Sequence, residues 1–315
     1  LFDEGIVNCR DHGVRMKKDE NNFQVSEIKV DIENNIISLT NDGNGIDIVE
    51  HPEYNIWIPE LIFGHLRTST NYNKDEKKIV GGKNGFGFKL VLIWSTWGKI
   101  ETVDHKRQLK YIQEFKNNLD IIEKPKISKY KGKPYTKVSF KPDYERLKID
   151  GLSNDMISLF QRRVYDIAAV TDKTVKVKYN NVQINIKSFE QYLNLYIGMK
   201  SECSRIYEKA NERWEYAVSL TPNDEFVQVS FVNGIYTSKG GKHVEYILNQ
   251  IVKKLVAYIK VKKHIDVKPA TIKEQLMLFI RCDIENPSFD SQTKDFMNTP
   301  ISNFGSSCIV SDQFM

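Results

Sequence analysis

Two stretches of alternating apolar and polar residues constrain the fold most, because each is typical of a β-hairpin with one buried face. The first, 27-EIKVDIENNIISLTNDGNGI-46, alternates on both sides of 33-ENN-35. The second, 174-TVKVKYNNVQINI-186, turns at Asn180-Asn181. Helical spacing over residues 154–170 predicts a helix directly before the second hairpin. Strands and helices mixed in this way indicate an α+β protein.

Further segments divide the chain into two parts. Strand-like patterns occupy residues 97–104, 110–115 and 135–140. The pattern changes near residue 190, where two strands (214–220 and 225–234) lead through 238-SKGG-241 into the longest helix. Apolar residues recur in that helix at spacings of three and four, namely Val244, Ile247, Leu248, Ile251, Val252, Leu255, Val256 and Ile259. We therefore predict two domains, residues 1–190 and 191–315.

Composition narrows the class of protein without naming it. The 315 residues are 40% hydrophobic and 28% charged, as in ordinary globular proteins. No apolar run approaches the roughly 18 residues that span a bilayer, so we expect no membrane partner. The net charge of +5 permits a nucleic-acid partner without requiring one. The four cysteines form no Cys-x-x-Cys pair, which favours reduced intracellular thiols over a zinc site.

The opening stretch, 1-LFDEGIVNCRDHGVRMK-17, has the pattern of an amphipathic helix. Phe2, Ile6 and Cys9 share one face of it, and no capping residue precedes them. We expect the natural N-terminus to lie upstream of Leu1.

The stretch 81-GGKNGFGFKL-90 is a candidate phosphate loop. A Walker A loop needs Gly-Lys followed by Ser or Thr, but here Phe88 separates Gly87 from Lys89. A Gly-x-Gly-x-x-Gly loop fails as well, since Gly82, Gly85 and Gly87 run in the reverse order. Two interpretations remain, a plain turn or a loop that presents backbone N–H groups to an anion at the start of a helix, 88-FKLVLIWS-95.

Two further features have both a plain and a functional interpretation. Glu4 and Asn8 are four residues apart, so their side chains would project together from one helical face, which is also what a solvated stripe looks like. Asp42 precedes Gly43 at the end of a predicted strand, where a simple Asx-Gly turn is equally expected.

The order of these three features resembles the Bergerat fold of the GHKL ATPases: helix Glu-x-x-x-Asn, then Asp-Gly-x-Gly, then Gly-x-x-Gly-x-Gly. The stretches 286-NPSFDSQTKDF-296, 231-FVNGIYTSKGGKHV-244 and 67-RTSTNY-72 make the whole chain similar to the ATPase and transducer region of type IIA DNA topoisomerases, closer to the eukaryotic and large-DNA-virus branch than to gyrase. This resemblance implies a Bergerat α/β two-layer sandwich, followed by a transducer domain with a ribosomal-protein-like β-α fold.

The resemblance also implies roles for the site residues. Glu4 would be the general base, Asn8 a ligand of Mg²⁺, and Asp42 the acceptor of a hydrogen bond from the adenine amino group of ATP. Further implied ATP contacts are Ser69, Thr70, Asn71, Gly82, Lys83, Asn84, Gly85, Phe86, Gly87, Phe88 and Lys89. His12 stands where the eukaryotic enzymes usually carry Asn, so we assign it no catalytic role and expect a core or supporting histidine.

In the second domain the resemblance places Gln292, Thr293 and Lys294 on a loop that reaches the γ-phosphate, with Gln292 and Lys294 catalytic. Only Pro287 restrains this loop in the sequence, so we expect it to be mobile before nucleotide binds. The lysines near the end of the long helix, Lys260, Lys262 and Lys263, are candidate DNA contacts or simply a solvated face.

The implied protein is a homodimer that acts on duplex DNA and uses ATP and Mg²⁺. It would work inside the cell, in the nucleus, or in the host cytoplasm or virus factory of a large DNA virus. This stretch would carry the ATPase part but not the DNA-cleaving part. Two alternatives remain: another GHKL ATPase of the MutL or chaperone type, or a nucleotide-binding clamp without turnover.

Overall fold

The structure, a computed structural model, describes residues 1–65, 79–80 and 87–314. These residues divide into two compact units. The first takes the described residues up to Asn185, apart from Ile79 and Val80, and the second takes those two residues and everything from Ile186. The predicted division into an ATPase domain, residues 1–190, and a transducer domain, residues 191–315, stays a prediction.

The first unit is built on a mixed sheet whose described strand order is β5-β4-β3-β7-β2-β1-β8-β9, with β6 paired to β4. Its strands are β1 (Glu27–Glu33), β2 (Ile36–Asp42), β3 (Ser95–Asp104), β4 (Leu109–Lys116), β5 (Ile121–Ile122), β6 (Lys126–Lys129), β7 (Tyr135–Pro142), β8 (Lys176–Tyr179) and β9 (Val182–Gln183). Its helices are α1 (Phe2–Met16), α2 (Ile58–Gly64), α3 (Gly87–Ile93) and α4 (Asn154–Val170).

Both predicted hairpins are present in this sheet. β1 pairs with β2 antiparallel, and the turn residues Asn34 and Asn35 take positive φ angles of 52° and 61°. β8 and β9 pair around Asn180 and Asn181, whose φ angles are 45° and 66°. Asparagine tolerates this left-handed conformation better than most residues, which is why Asn-Asn pairs mark tight hairpin turns.

The helices of the first unit form a layer on this sheet. α1 contacts β2, α3 contacts β3 and β7, and α4 contacts β8. The apolar face of α1 is buried as its spacing predicts, with Phe2, Ile6 and Cys9 at 5% exposure or less. Ser153 caps α4 by accepting a hydrogen bond from the Met156 N–H at 3.2 Å. The result is the two-layer α/β sandwich that the family resemblance implies.

The second unit has its own sheet, with the described order β10-β11-β15-β12-β13. Its strands are β10 (Arg205–Asn211), β11 (Trp214–Leu220), β12 (Val227–Val232), β13 (Ile235–Tyr236), β14 (Gly240–Gly241), β15 (Leu276–Cys282) and β16 (Phe296–Met297). Its helices are α5 (Phe189–Ile197), α6 (Lys242–Lys263), α7 (Pro269–Glu274) and a 3₁₀ turn at Ile301–Asn303.

The core of this unit forms where α6 covers the sheet. Val244, Ile247, Leu248, Ile251 and Val252 of α6 are buried, together with Trp214 and Leu278 of the strands. The predicted long helix is therefore confirmed. The sequence patterns did not predict α5, β10 or the central strand β15. The apolar run of β15, 276-LMLFI-280, is buried on both faces and so lacks an alternating pattern.

All four cysteines are free thiols. Cys9, Cys282 and Cys308 are buried, whereas Cys203 is partly exposed. Burial raises the pKa of Cys9 and of Cys308 to about 12 and the pKa of Cys282 well above its usual value. No helix in the described part of the chain is long and apolar enough to cross a membrane.

Candidate nucleotide site and its relatives

Helix α1 presents Glu4 and Asn8 on one face, and both side chains are partly buried. The Glu4 carboxylate lies directly against the first residue of α3, because a Cβ built on Gly87 would stand 2.0 Å from Glu4 Oε2. A larger residue at position 87 would displace that carboxylate from its present position. The structure therefore brings the helix Glu-x-x-x-Asn motif and the end of the glycine loop together.

Two aromatic contacts hold the start of α3 against α2 and β7. The Phe88 ring packs edge-on against Phe63 and Phe140, with ring centres 5.7 and 6.0 Å away. Phe88 also approaches Gly5 of α1, where an added Cβ would meet its ring at 3.0 Å. Lys89 is 3% exposed, and burial lowers its pKa.

Asp42 closes β2, and its carboxylate is 10% exposed. Burial alone would raise the pKa of Asp42, but hydrogen bonds from Lys133, Ser26 and the Glu27 N–H outweigh burial and hold that pKa below its usual value. The carboxylate therefore stays ionised and remains an acceptor. Gly43 follows with φ +95°, so the chain turns sharply at this point.

His12, one turn beyond Asn8 on α1, lies against this turn. A Cβ on Gly43 would stand 3.1 Å from His12 Nε2. Burial lowers the pKa of His12 to about 4, so its ring is neutral at physiological pH. No residue in the described ranges donates to or accepts from its Nε2. His12 thus packs beside the turn after Asp42, and its supporting role stays a prediction.

Gly45, the second glycine of the Asp-Gly-x-Gly motif, lies so close to the backbone of β3 that a side chain would not fit there. A Cβ on Gly45 would stand 1.9 Å from the Val103 carbonyl oxygen, and the Thr102 hydroxyl accepts a hydrogen bond from the Ile46 N–H at 2.9 Å. The Asp-Gly-x-Gly stretch is thus held against β3 by its backbone.

Several predicted contacts lie outside the described residues, namely Ser69, Thr70, Asn71, Gly82, Lys83, Asn84, Gly85 and Phe86. Three contacts of Asp42 carried no signal in the sequence, those from Ser26, Glu27 and Lys133. Lys133 is 91 residues away from Asp42 along the chain, in a loop without periodicity. Only the folded sheet brings them together.

The residues available for Mg²⁺ fit a site completed by phosphate. In the described ranges no three His, Cys, Asp or Glu side chains lie close enough to hold a metal ion. Asn8 offers one amide oxygen, a hard ligand of the kind Mg²⁺ accepts while keeping most of its positions for phosphates and water.

The loop of Gln292 and Lys294 lies in the second unit, between β15 and β16. The expectation that only Pro287 restrains this loop is wrong. The Asp290 N–H donates to the Phe296 carbonyl at 3.1 Å, and the Ser288 N–H donates to the Thr299 hydroxyl at 2.8 Å. The loop folds back on itself because its short polar side chains bond to its own backbone.

A second set of contacts ties this loop to the 238-SKGG-241 segment. The Ser238 hydroxyl donates to Asp295 Oδ1 at 3.0 Å, and the Lys239 N–H donates to the Asp295 carbonyl at 3.0 Å. β14 and β16 then pair in parallel, Gly240 with Phe296 and Gly241 with Met297. Lys294 takes a left-handed φ of +60° between these anchors, with its N–H donating to the Ser291 carbonyl at 3.1 Å.

The three lysines near the end of α6 do not share one environment. Lys260 forms an ion pair with Asp266 at 2.9 Å, whereas Lys262 and Lys263 are exposed. All three lie in the last turn of the helix, where positive side chains also stabilise the helix dipole.

In sequence, this chain is similar to several known proteins. A family model described as DNA gyrase B matches residues 177–315. The probable DNA topoisomerase 2 of Dictyostelium discoideum is 44% identical over 319 residues, covering 100% of this chain and 21% of that protein. The DNA topoisomerase 2 of Acanthamoeba polyphaga mimivirus is 42% identical over 319 residues, covering 100% of this chain and 25% of that protein.

In structure, too, this chain is similar to known proteins. The ATPase region of Saccharomyces cerevisiae topoisomerase II superposes with a TM-score of 0.90 at 42% identity, covering 99% of this chain and 80% of that one. The ATPase and transducer domains of DNA topoisomerase II from Balamuthia mandrillaris give a TM-score of 0.90 at 39% identity, covering 99% and 79%.

The fold is thus that of an ATPase region joined to a transducer domain. The chain belongs to the type II DNA topoisomerase family, and the similarity runs to its eukaryotic and viral members, as predicted. It spans about a fifth to a quarter of the length of the curated relatives it matches.

Proposed function

We propose that this chain binds and hydrolyses ATP and forms the ATP-operated entry gate of a type II DNA topoisomerase. In the complete enzyme, ATP-driven closure of a homodimer would be coupled to passage of one DNA duplex through another. The observation that carries this proposal is the superposition on the yeast ATPase region, which covers 99% of the chain.

The chemistry follows from the residues that α1 and β2 position. Glu4 would orient the attacking water and accept its proton, and Asn8 would contribute an amide oxygen to Mg²⁺, which would neutralise phosphate charge. Asp42 would accept a hydrogen bond from the adenine amino group, whereas the carbonyl of guanine at that position would meet a negative charge.

The second unit would contribute Gln292 and Lys294 at the γ-phosphate. A cation there stabilises charge on the transferring phosphoryl group, an effect of roughly 3–4 kcal/mol by analogy with other oxyanion donors. The restrained form of the 286–297 loop supports this role, because a positioned donor pays little ordering entropy when phosphate arrives.

DNA would be the partner of the complete enzyme, with Lys260, Lys262 and Lys263 as candidate contacts. Its site of action would be the nucleus, or the host cytoplasm or virus factory if the source is a large DNA virus. The MutL-type and chaperone-type alternatives find no support among the relatives. A clamp without turnover is separated from an ATPase by a hydrolysis assay.

Binding of ATP and of GTP, each with Mg²⁺, tests the assignment of the base site. Calorimetric titration should show preference for ATP, and Asp42→Asn should weaken ATP binding more than it slows hydrolysis. The base is unchanged between ground and transition states, so its contact contributes uniform binding. Equal affinity of the parent protein for ATP and GTP would contradict the assignment.

A further inference from the structure

The carboxylate of Asp42 already has a full set of donors in this structure. Oδ1 accepts from the Ser26 N–H at 2.7 Å and from the Glu27 N–H at 2.8 Å. Oδ2 accepts from the Ser26 hydroxyl at 2.5 Å and from Lys133 Nζ at 2.5 Å. An ionised carboxylate offers about four lone-pair sites. A base that donates a hydrogen bond to Asp42 must therefore displace one of these donors.

Only one of the four donors can leave cheaply. The two N–H groups belong to Ser26, which directly precedes β1, and to Glu27, its first residue, and β1 is held between β2 and β8 by paired backbone. The Ser26 hydroxyl sits on that same backbone. Lys133 lies in the connection between β6 and β7, and its side chain is 59% exposed. A lysine ammonium on a four-carbon stem moves into water with little loss.

We propose that Lys133 is a specificity-determining residue of the base site, because its ammonium occupies the acceptor position on Asp42 that an adenine amino group would use. This inference rests on the proposed function, in which Asp42 recognises adenine. Binding of an adenine nucleotide then exchanges one donor for another on Oδ2, and the gain from the new hydrogen bond is reduced by the one that is lost.

The same ammonium changes the balance between purines. Adenine carries an amino donor at its six position, where guanine carries a carbonyl acceptor. Asp42 by itself can only accept, so it disfavours guanine. Lys133 Nζ is a donor within reach of that carboxylate, and also of the Ser26 hydroxyl at 2.9 Å. The ammonium could donate a hydrogen bond to the guanine carbonyl, which Asp42 as an acceptor cannot do. Lys133 would therefore reduce the preference for adenine over guanine.

The test is the ratio of the dissociation constants of GDP and ADP, measured by calorimetry with Mg²⁺. Both nucleotides carry the same phosphates, so the loss of one positive charge cancels in the ratio. Lys133→Met should bind ADP about two- to tenfold more tightly, the range of one net hydrogen bond. GDP should bind no better than to the parent, so the ratio should rise.

Lys131→Met is the matched control, since Lys131 is an exposed lysine two residues away and should leave the ratio unchanged. A Lys133→Met ratio equal to that of the parent would overturn the inference, and so would a lower ratio. The two lysine variants carry this comparison even if Asp42→Asn fails to fold.

Asp42→Asn distinguishes a failure of this inference from a failure of the proposed function on which it rests. If Asp42→Asn lowers the ratio and Lys133→Met does not change it, only the role of Lys133 is wrong. If neither variant changes the ratio, Asp42 does not read the base. In the double variant the effect of Lys133→Met should vanish, because it acts through the carboxylate.

Discussion

The contact between Glu4 and Gly87 shows how closely the candidate base is fitted to the start of α3. The carboxylate fills the space that any side chain at position 87 would need. A glutamine at position 4 keeps that volume and one acceptor oxygen, but it cannot take a proton at neutral pH. The proposed role of Glu4 can therefore be tested by Glu4→Gln, a substitution that preserves the packing of the side chain.

Glu4→Gln should abolish ATP turnover while leaving the dissociation constant for ATP nearly unchanged. Steady-state hydrolysis and calorimetric binding, measured on the same protein, check the two halves of this expectation. Glu33→Gln, at an exposed carboxylate that ends β1, is the control and should hydrolyse ATP at the parent rate. Turnover by the Glu4 variant within a few-fold of the parent would exclude Glu4 as the base.

Sequence spacing places Glu4, Asn8 and Asp42 on the elements where they are found, because helical and strand periodicity are local properties. The partners of Asp42 are not local. Lys133 sits in 130-YKGKP-134, which carries no pattern, and its approach to Asp42 depends on the order of strands in the whole sheet. Tertiary contacts of this kind cannot be derived from a single sequence.

At the scale of elements, the 238-SKGG-241 segment acts as a frame for the loop that carries Lys294. Gly241 has φ +145°, and a Cβ there would stand 2.3 Å from the Met297 carbonyl oxygen. Thr237 directly precedes this segment, and its hydroxyl donates to the Ser230 carbonyl at 3.0 Å and contacts His243 Nε2 at 3.2 Å. The frame is therefore itself anchored in the core of the second unit.

Removing one anchor should loosen the loop without unfolding the unit. Ser238→Ala deletes the hydrogen bond to Asp295 Oδ1, so backbone amides in 286–297 should exchange with solvent faster. ATP hydrolysis should fall several-fold if Lys294 acts there, while ADP affinity stays the same. Hydrogen exchange followed by mass spectrometry measures the first effect.

Ser302→Ala, at an exposed serine of the same unit, supplies the comparison and should alter neither exchange nor hydrolysis. Unchanged exchange in the Ser238 variant would mean that the parallel pairing of β14 with β16 holds the loop unaided. Bound ATP should protect this loop further and ADP should not, since only ATP offers a γ-phosphate to Lys294.

Some elements were predictable and others were not, for a physical reason. α6 has one buried face and one polar face, so its period is visible in the sequence. The run 276–280 of β15 is apolar without alternation, because β15 is flanked by β11 and β12 and this run is buried on both faces. The hydrogen bonds that restrain the 286–297 loop, such as Ser238 to Asp295, were not predictable, because they join residues far apart in the chain.

At the scale of the whole molecule, the chain is one part of a larger family architecture, and its proposed DNA contacts lie on the second unit. Lys262 and Lys263 are exposed at the end of α6, and Lys260 is paired with Asp266 in solvent. Exposed ion pairs of this kind contribute little and are easily exchanged for phosphate.

Replacing Lys260, Lys262 and Lys263 together with Ala should weaken duplex binding and lower its salt slope by about 2 to 3, at about 0.9 per phosphate contact. Fluorescence anisotropy with duplex DNA over a range of salt concentrations measures that slope. The matched variant replaces the exposed lysines Lys124, Lys126 and Lys129 of the first unit and should keep the parent slope. Equal slopes for both variants would leave the α6 lysines as surface charge.

The distribution of thiols offers a practical route to testing for nucleotide-driven movement. Three cysteines are buried and have raised pKa values, so they contain almost no reactive thiolate. Cys203 is the partly exposed one, and it belongs to the second unit. A maleimide fluorophore should therefore couple to the native chain at this single position, giving a spectroscopic reporter on the transducer side without any engineered cysteine.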